Sequence, residues 1–275
     1  MYVFTHCYIY FYYLNQISIS IMRYFIRLAY NGSNYHGWQR QPNDSSVQQC
    51  IEEAISTILR TKIEIVGAGR TDTGVNASTM YAHFDFDTID NAKKEKLIVG
   101  LNSILGRNIA IYDIISVKDD AHARFDAKWR TYHYYTHISK SPFIYPLSWQ
   151  APKNLDYDAM NEAAKLLLET DDFTSFAKLH TDAVTNICKV TKAEWVKRSD
   201  CDGYVFIITA NRFLRNMVRA IVGTLVDVGR GKITISDFQK IIDLKNRCDA
   251  GVSMPGNALF LHDIVYPEDI FITPV

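Results

Sequence analysis

The chain has 275 residues, 48% apolar and 22% charged, enough for one large or two small globular domains with a hydrophobic core. Lys+Arg and Asp+Glu each number 30, so the net charge is zero; this argues against a uniformly basic polyanion binder and leaves a local basic patch as the route to such a partner. The five cysteines (Cys7, Cys50, Cys188, Cys201, Cys248) are scattered and show neither metal-ligand spacing nor a disulfide framework, so no metal and a reducing cytoplasmic location are expected.

Residues 1–21 differ from everything after them, with five tyrosines and no Lys, Arg, Asp or Glu. A secretory signal needs a basic start, an aliphatic run and a small-residue cleavage site, and the segment has none of these. His6, Asn15, Gln16 and three hydroxyl residues count against a membrane-spanning helix. The segment is expected to be an appendage to the fold, disordered or from a non-native upstream start, with Met22 as the natural beginning. Beyond it, Tyr24, Ile26, Leu28 and Tyr30 alternate with Phe25, Arg27 and Ala29, which predicts a strand ended by Gly32. Ser45 and Ser46, with Gln48 and Gln49 after them, mark a helix start. Val47, Ile51, Ala54, Ile55, Ile58 and Leu59 share its apolar face. Strands follow at 63–67 and 80–87, then a helix over 92–105 with Leu97, Ile98, Leu101, Ile104 and Leu105 inward, and a strand at 109–117.

The second half repeats the order. A strand at 130–138 precedes a helix at 157–168, strands near 189–197 and 204–210, a helix at 213–228, a short helix from Asp237 and a strand near 259–265. Each half reads β-α-β-β-α-β, with one helix added in the second. This order predicts an α+β fold: two split-βαβ (ferredoxin-like) halves, 22–125 and 126–275, sharing an antiparallel sheet. A central cleft between them is where a site belongs.

The run Gly67-Ala68-Gly69-Arg70-Thr71-Asp72-Thr73-Gly74-Val75-Asn76-Ala77 lies between two predicted strands. Its glycines permit sharp turns and the close approach of a ligand. A guanidinium beside Asp72 favours the ionised carboxylate, which is then available as nucleophile or general base. Gly-Arg-Thr-Asp alone is more often an ordinary surface turn with an exposed pair. The helix at 213–228 carries a stripe of Arg212, Arg215 and Arg219 at i, i+3 and i+7 on an otherwise apolar sequence. A buried guanidinium needs an anion; on pattern alone the stripe is equally the solvated edge of a core helix. From Arg212 to Lys232 there are five basic residues and one acid, Asp227, an excess suited to phosphates. In Arg130-Thr131-Tyr132-His133-Tyr134, spacing alone makes Tyr132 a core tyrosine.

Taken whole, the eleven-residue loop resembles the catalytic loop of the TruA family of tRNA pseudouridine synthases. The resemblance extends over roughly 23–267. It is carried by Tyr30-Asn31-Gly32 with Tyr35-His36-Gly37-Trp38-Gln39-Arg40-Gln41, by His122-Ala123-Arg124-Phe125-Asp126-Ala127 before Arg130 to Tyr134, and by Asp172-Phe173-Thr174-Ser175-Phe176. Asn211 to Arg219 with Gly223, and Leu259-Phe260-Leu261 before Tyr266-Pro267, complete it. It implies that Asp72 is the catalytic aspartate, paired with Arg219. Tyr132 is then set against the uracil ring and Leu259 packs on the flipped base. Arg70 fills the vacated space, and Arg40, Arg124, Arg212 and Arg215 grip RNA. The reaction implied is isomerisation of uridine to pseudouridine in the tRNA anticodon stem-loop, without cofactor, by a homodimer with one tRNA across both subunits.

Three features depart from the family pattern. Asn76 stands where histidine is more usual, Gly106-Arg107-Asn108 where a Leu-Pro turn is commoner, and Thr185 to Lys189 lacks the usual arginine. Two rivals stand beside this reading: a catalytically inactive structured-RNA-binding protein of the same fold, and a hydrolytic N- or O-glycosidase. Intact Asp72, Tyr132 and Arg219 count against the first. The second normally needs two carboxylates flanking the bond, and the loop offers one.

Overall fold

A computed structural model of the chain describes residues 21–178 and 184–272. The expected appendage at 1–21 lies outside these except for Ile21, which opens the first strand opposite Asp87. The elements of the first half are β1 (Ile21–Tyr30), α1 (Val47–Leu59), β2 (Val66–Gly67), β3 (Asn76–Asp87), α2 (Asn91–Ile104) and β4 (Ile109–Val117). Those of the second are β5 (Trp129–His137), β6 (Trp149–Gln150), α3 (Tyr157–Lys165), β7 (Val190–Lys197), β8 (Tyr204–Ala210), α4 (Met217–Gly229), α5 (Ile235–Leu244) and β9 (Leu259–Val265).

Side-chain caps explain where several helices begin. Ser46 accepts from the Gln49 amide, Asp90 from Lys93 and Asp156 from Ala159, while Thr234 and Asp237 close a capping box at α5. The predicted 157–168 helix ends at Lys165 and tightens to a 3₁₀ turn through Leu168. Two predictions shift more. β3 begins at Asn76, four residues early, because it pairs with neighbours on both sides. α4 begins at Met217 rather than 213, because Asn216 adopts a left-handed conformation (φ 67°) that breaks the helix. Arg212 and Arg215 therefore precede the helix, and the single helical stripe of three arginines does not exist.

Among the described residues the sheet has nine strands in the order β4-β1-β3-β9-β5-β8-β7, with β2 beside β3 and β6 beside β5. Pairing is antiparallel within each half, apart from the short β5–β6 pair. The halves meet through a parallel pairing of two residues, Asn76 with Phe260 and Ala77 with Leu261. One apolar core packs α1 and α2 on β1, β3 and β4, and it takes in Leu261, Ile264, Tyr266 and Ile270 from the far end of the chain. The other lies among α3, α4, α5 and the strands of the second half, and it takes in Val75 from the first. Alternation along β1 holds at Tyr24, Ile26, Leu28 and Tyr30, but Phe25 is buried too, because Tyr266 packs on it at 5.2 Å between ring centroids. On α2 the expected inward Ile104 is instead 52% exposed.

In α4 every residue but Arg219 and Asp227 is buried. Gly223 lies against the chain at Val252, where an added Cβ would sit 1.8 Å from the Val252 carbonyl oxygen. Alanine favours a helix by about 1 kcal/mol over glycine, but here the clash is with main chain that a rotamer change does not relieve. Gly223→Ala is expected to lower stability by about 1–3 kcal/mol in urea unfolding; an unchanged or raised midpoint would show that the Val252 segment gives way.

His83 on β3 is buried, its Nδ1 accepts from the Ala123 amide at 3.1 Å, and its ring meets His122 at 4.6 Å between centroids. Burial, then the Arg23 charge, pushes its pKa down to about 4. The unfolded chain therefore binds a proton near pH 6.5 that the folded chain refuses until about pH 4. The stability from neutral His83 is present in full above pH 6.5 and is lost as pH falls through that window. His83→Asn, which keeps an acceptor without the titration, is expected to flatten the fall in urea midpoint between pH 7 and 4; an identical fall in both proteins would contradict this.

Candidate active site

The Asp72 loop is held from below by backbone contacts that its small residues permit. Trp38 donates its amide to the Thr71 carbonyl at 3.2 Å, and Gly74 donates to the Tyr35 carbonyl at 3.3 Å. Gly37 makes the first contact possible: its φ is +93°, and a Cβ there would stand 2.4 Å from the Thr71 oxygen. Tyr30, buried on β1, shares a 2.8 Å hydrogen bond between its hydroxyl and that of Thr71. The loop's own glycines serve different ends. Gly67 packs against the Trp38 ring, Gly69 faces open space, and Gly74 turns the chain at φ +75°. Asn76, fully buried, ties three segments together. Its Oδ1 accepts from the Gly32 amide, and its Nδ2 donates to the Asn257 carbonyl, both at 2.8 Å.

Asp72 stands on this loop with its side chain 25% exposed. Arg215 Nε lies 3.7 Å from Oδ1 and Arg219 Nη1 lies 3.5 Å from Oδ2. The guanidinium beside the carboxylate is thus not Arg70, its neighbour in sequence, which is exposed. It is a pair of arginines from the second half. Both separations exceed a hydrogen bond, so each cation faces the carboxylate while leaving its lone pairs available. Arg219 is aimed by the main chain: its Nε donates to the Met254 carbonyl at 2.5 Å, and the Met254 amide donates to the Arg219 carbonyl at 3.1 Å.

Tyr132 on β5 faces the same space. Its ring meets Phe213 edge-on at 5.0 Å. Burial pushes its phenol up to about 12, with Arg130 opposing and Asp72 adding to the rise, so the hydroxyl stays protonated near neutrality. Leu259 is buried at the start of β9, opposite Tyr134. Asp72, Arg215 and Arg219 therefore gather just ahead of β3, close enough to Tyr132 for its phenol to feel the carboxylate, and Leu259 opens the neighbouring β9.

The other anticipated arginines have partners of their own. Arg40 is exposed on the rim of an open depression of about 660 Å³ lined by residues 40–45 and Gln49, with Glu52 at 3.5 Å. Arg124 lies over the exposed Phe125 ring at 5.7 Å. Arg212 is half-buried and close enough to Arg130 for the two charges to oppose each other. Arg230 and Lys232 do not join them: they pair with Asp227 at 4.0 and 3.1 Å near the far end of α4. The expected run of five cations therefore divides between two ends of a helix. Sequence reasoning passed over Arg130 and the Tyr30–Thr71 contact, although Arg130 shares the strand face of Tyr132 at a two-residue spacing. Among the described residues, no helix is long and apolar enough to cross a membrane, and no group of three or more His, Cys, Asp or Glu could hold a metal ion.

Known proteins resemble the chain over most of its length. A "tRNA pseudouridine synthase A" of Bacteroides thetaiotaomicron is 56% identical over 256 residues, 91% of this chain and 93% of that protein. Proteins of the same name from Bacteroides fragilis (53% over 253 residues, 92% of this chain and all of that protein) and Caldicellulosiruptor bescii (37% over 243 residues, 88% and 98%) match as well. Among solved structures, an unknown protein from Galdieria sulphuraria aligns with 78% of this chain and 94% of its own at 11% identity, with a TM-score of 0.21, too low to bear on the fold. The pattern of the tRNA pseudouridine synthase family matches residues 27–126 and 163–267, the two stretches that supply Asp72 on one side and Arg215 and Arg219 on the other, and the chain belongs to that family.

Proposed function

We propose that the chain isomerises uridines of the tRNA anticodon stem-loop to pseudouridine, with Asp72 as the nucleophile. The observation that carries this reading is the carboxylate between two guanidinium groups at the join of the halves, with a protonated tyrosine on the same floor. The reaction breaks the N1–C1′ bond of uridine and forms C5–C1′. N1 gains a proton, C5 loses one, and no atom of the nucleoside is otherwise gained or lost. Asp72 supplies an electron pair to the electrophilic carbon and is released when C5 attacks. Arg215 and Arg219 hold the carboxylate charged and oriented, and the charge they share with it is restored on release. The uridine leaves its stack to reach this floor, and Arg70, exposed on the loop, takes the vacated place. Tyr132 and Leu259 bound the uracil while it turns.

On this reading Arg40, Arg124, Arg212 and Arg215 meet phosphates, so that a chain of zero net charge binds RNA through one basic face. The strand orders β4-β1-β3-β2 and β9-β5-β8-β7 support two ferredoxin-like halves, residues 22–125 and 126–275. A cytoplasmic homodimer acting on one tRNA completes the proposal.

Asp72→Asn is expected to slow tritium release from C5-labelled uridine in tRNA by more than about 10⁴-fold while tRNA binding persists. Turnover comparable to the parent protein would remove Asp72 from its role. If the Tyr132 ring holds the base, Tyr132→Ala loses more than Tyr132→Phe, by the ~1–3 kcal/mol that base–aromatic stacking contributes. Equal losses in kcat/KM would place the function in the hydroxyl instead.

A further inference from the structure

Arg130 spends its guanidinium on main-chain carbonyls. Its Nη1 donates to the carbonyls of Ala127 at 3.2 Å and Asn211 at 2.8 Å, and its Nη2 to those of Ala68 at 3.0 Å and Arg124 at 2.6 Å. Arginines removed from water usually pair with a carboxylate. Among the described residues, Arg130 takes part in no ion pair, and the phenols of Tyr266 and Tyr132 and the like charges of Arg124 and Arg212 are the largest charges acting on it. The four carbonyls are neutral, so the positive charge is solvated by dipoles and not cancelled.

The carbonyls belong to three segments, and each carries residues of the site. Ala68 is four residues before Asp72 in the same loop. Arg124 and Ala127 belong to the turn 122–127, itself fixed by the His122 amide donating to Asp126 at 2.6 Å and by the Tyr266 hydroxyl donating to the Ala123 carbonyl at 2.5 Å. Asn211 opens the non-helical segment 211–216 that brings Arg215 to the carboxylate and Arg212 near Arg130. Arg130 itself lies two residues from Tyr132 on the same strand face, so one rigid fork ties β5 to all three. Only a planar guanidinium has enough donors in one plane for this; a lysine ammonium presents three donors from a single point.

We infer that Arg130 is the positioning residue that sets the Asp72 loop at its working distance from the Arg212–Arg215 segment, and that its charge adds to the field that draws the RNA backbone. This rests on the pseudouridine reading for its substrate. The geometric part acts on the rate of the bound complex, and the electrostatic part acts on affinity, so the two separate by substitution. Arg130→Lys keeps the charge and loses the fork. Arg130→Gln loses both.

The test uses the full chain in excess over C5-tritiated tRNA, in single turnover, with tRNA affinity measured across a range of salt. For Arg130→Lys the rate constant is expected to fall about 10²-fold, with affinity and its salt dependence close to the parent. For Arg130→Gln the rate constant falls as far, and the slope of log affinity against log salt becomes shallower, by less than the roughly one unit that losing a direct phosphate contact gives. A role confined to stability would lower the amplitude and the thermal midpoint and leave the rate constant of the active fraction unchanged. A rate constant within about twofold of the parent in both variants overturns the inference, and Arg130→Lys alone decides the positioning role should the Gln variant not fold. If the parent protein itself releases no tritium, the pseudouridine reading fails, whereas the change in salt slope still reports on the Arg130 charge.

Discussion

Two residue pairs between β3 and β9 hold the rest of the site in place. Asn76 and Ala77 run parallel to Phe260 and Leu261, and these are the first residues of β3 and the early residues of β9. Asp72 precedes β3 by four residues. Met254, whose carbonyl aims Arg219, precedes β9 by five. Pairing the two strand beginnings therefore fixes the separation of a carboxylate from one half and a guanidinium from the other. A two-residue ladder is a weak clamp by itself, and Asn76 reinforces it. Its amide spends both ends on main chain, at Gly32 and at Asn257, where a lost partner would leave a buried polar group unmet.

Around that join the electrostatics are uneven although the chain as a whole is neutral. Among the described residues, Asp72 is the carboxylate paired with Arg215 and Arg219, and no ion pair includes Arg130, whose charge is opposed by those of Arg124 and Arg212. Elsewhere, acids and bases pair on the surface, as at Lys62–Glu64 and Lys165–Glu162, where such pairs are worth little to stability. A zero sum thus conceals a local positive field, which is the quantity that matters to a polyanion. The ion pairs at Asp72 are long, so the field holds the carboxylate without consuming its oxygens.

What could be read from the sequence was what local chemistry decides. Ser46 caps α1 as its position and its glutamine neighbours announce, and β4, β8 and β9 occupy the ranges expected for them. What could not be read depends on partners remote in sequence. Asn76 to Thr79 has little strand propensity of its own, and its strand is imposed by β1 and β9. The apolar period continues backward from Met217 through Leu214 and Phe213, so nothing in it marks the left-handed Asn216 that ends the helix. Arg70, two residues from Asp72 in the chain, is the natural local partner on charge grounds, whereas the fold supplies Arg215 and Arg219 from the second half. Only the family resemblance pointed to Arg219, and nothing pointed to the carbonyl-bound Arg130.

The first core is built mainly from residues before 128, yet Leu261, Ile264, Tyr266 and Ile270 are part of it. On the ribosome, the amino-terminal half therefore emerges with its apolar wall open on one side. It stays open until residues 261–270 clear the exit tunnel. The carboxylate loop gains its facing arginines once residues 215–219 have emerged, and Met254, which aims Arg219, comes later still, so a truncated nascent chain exposes apolar surface and leaves Asp72 without partners.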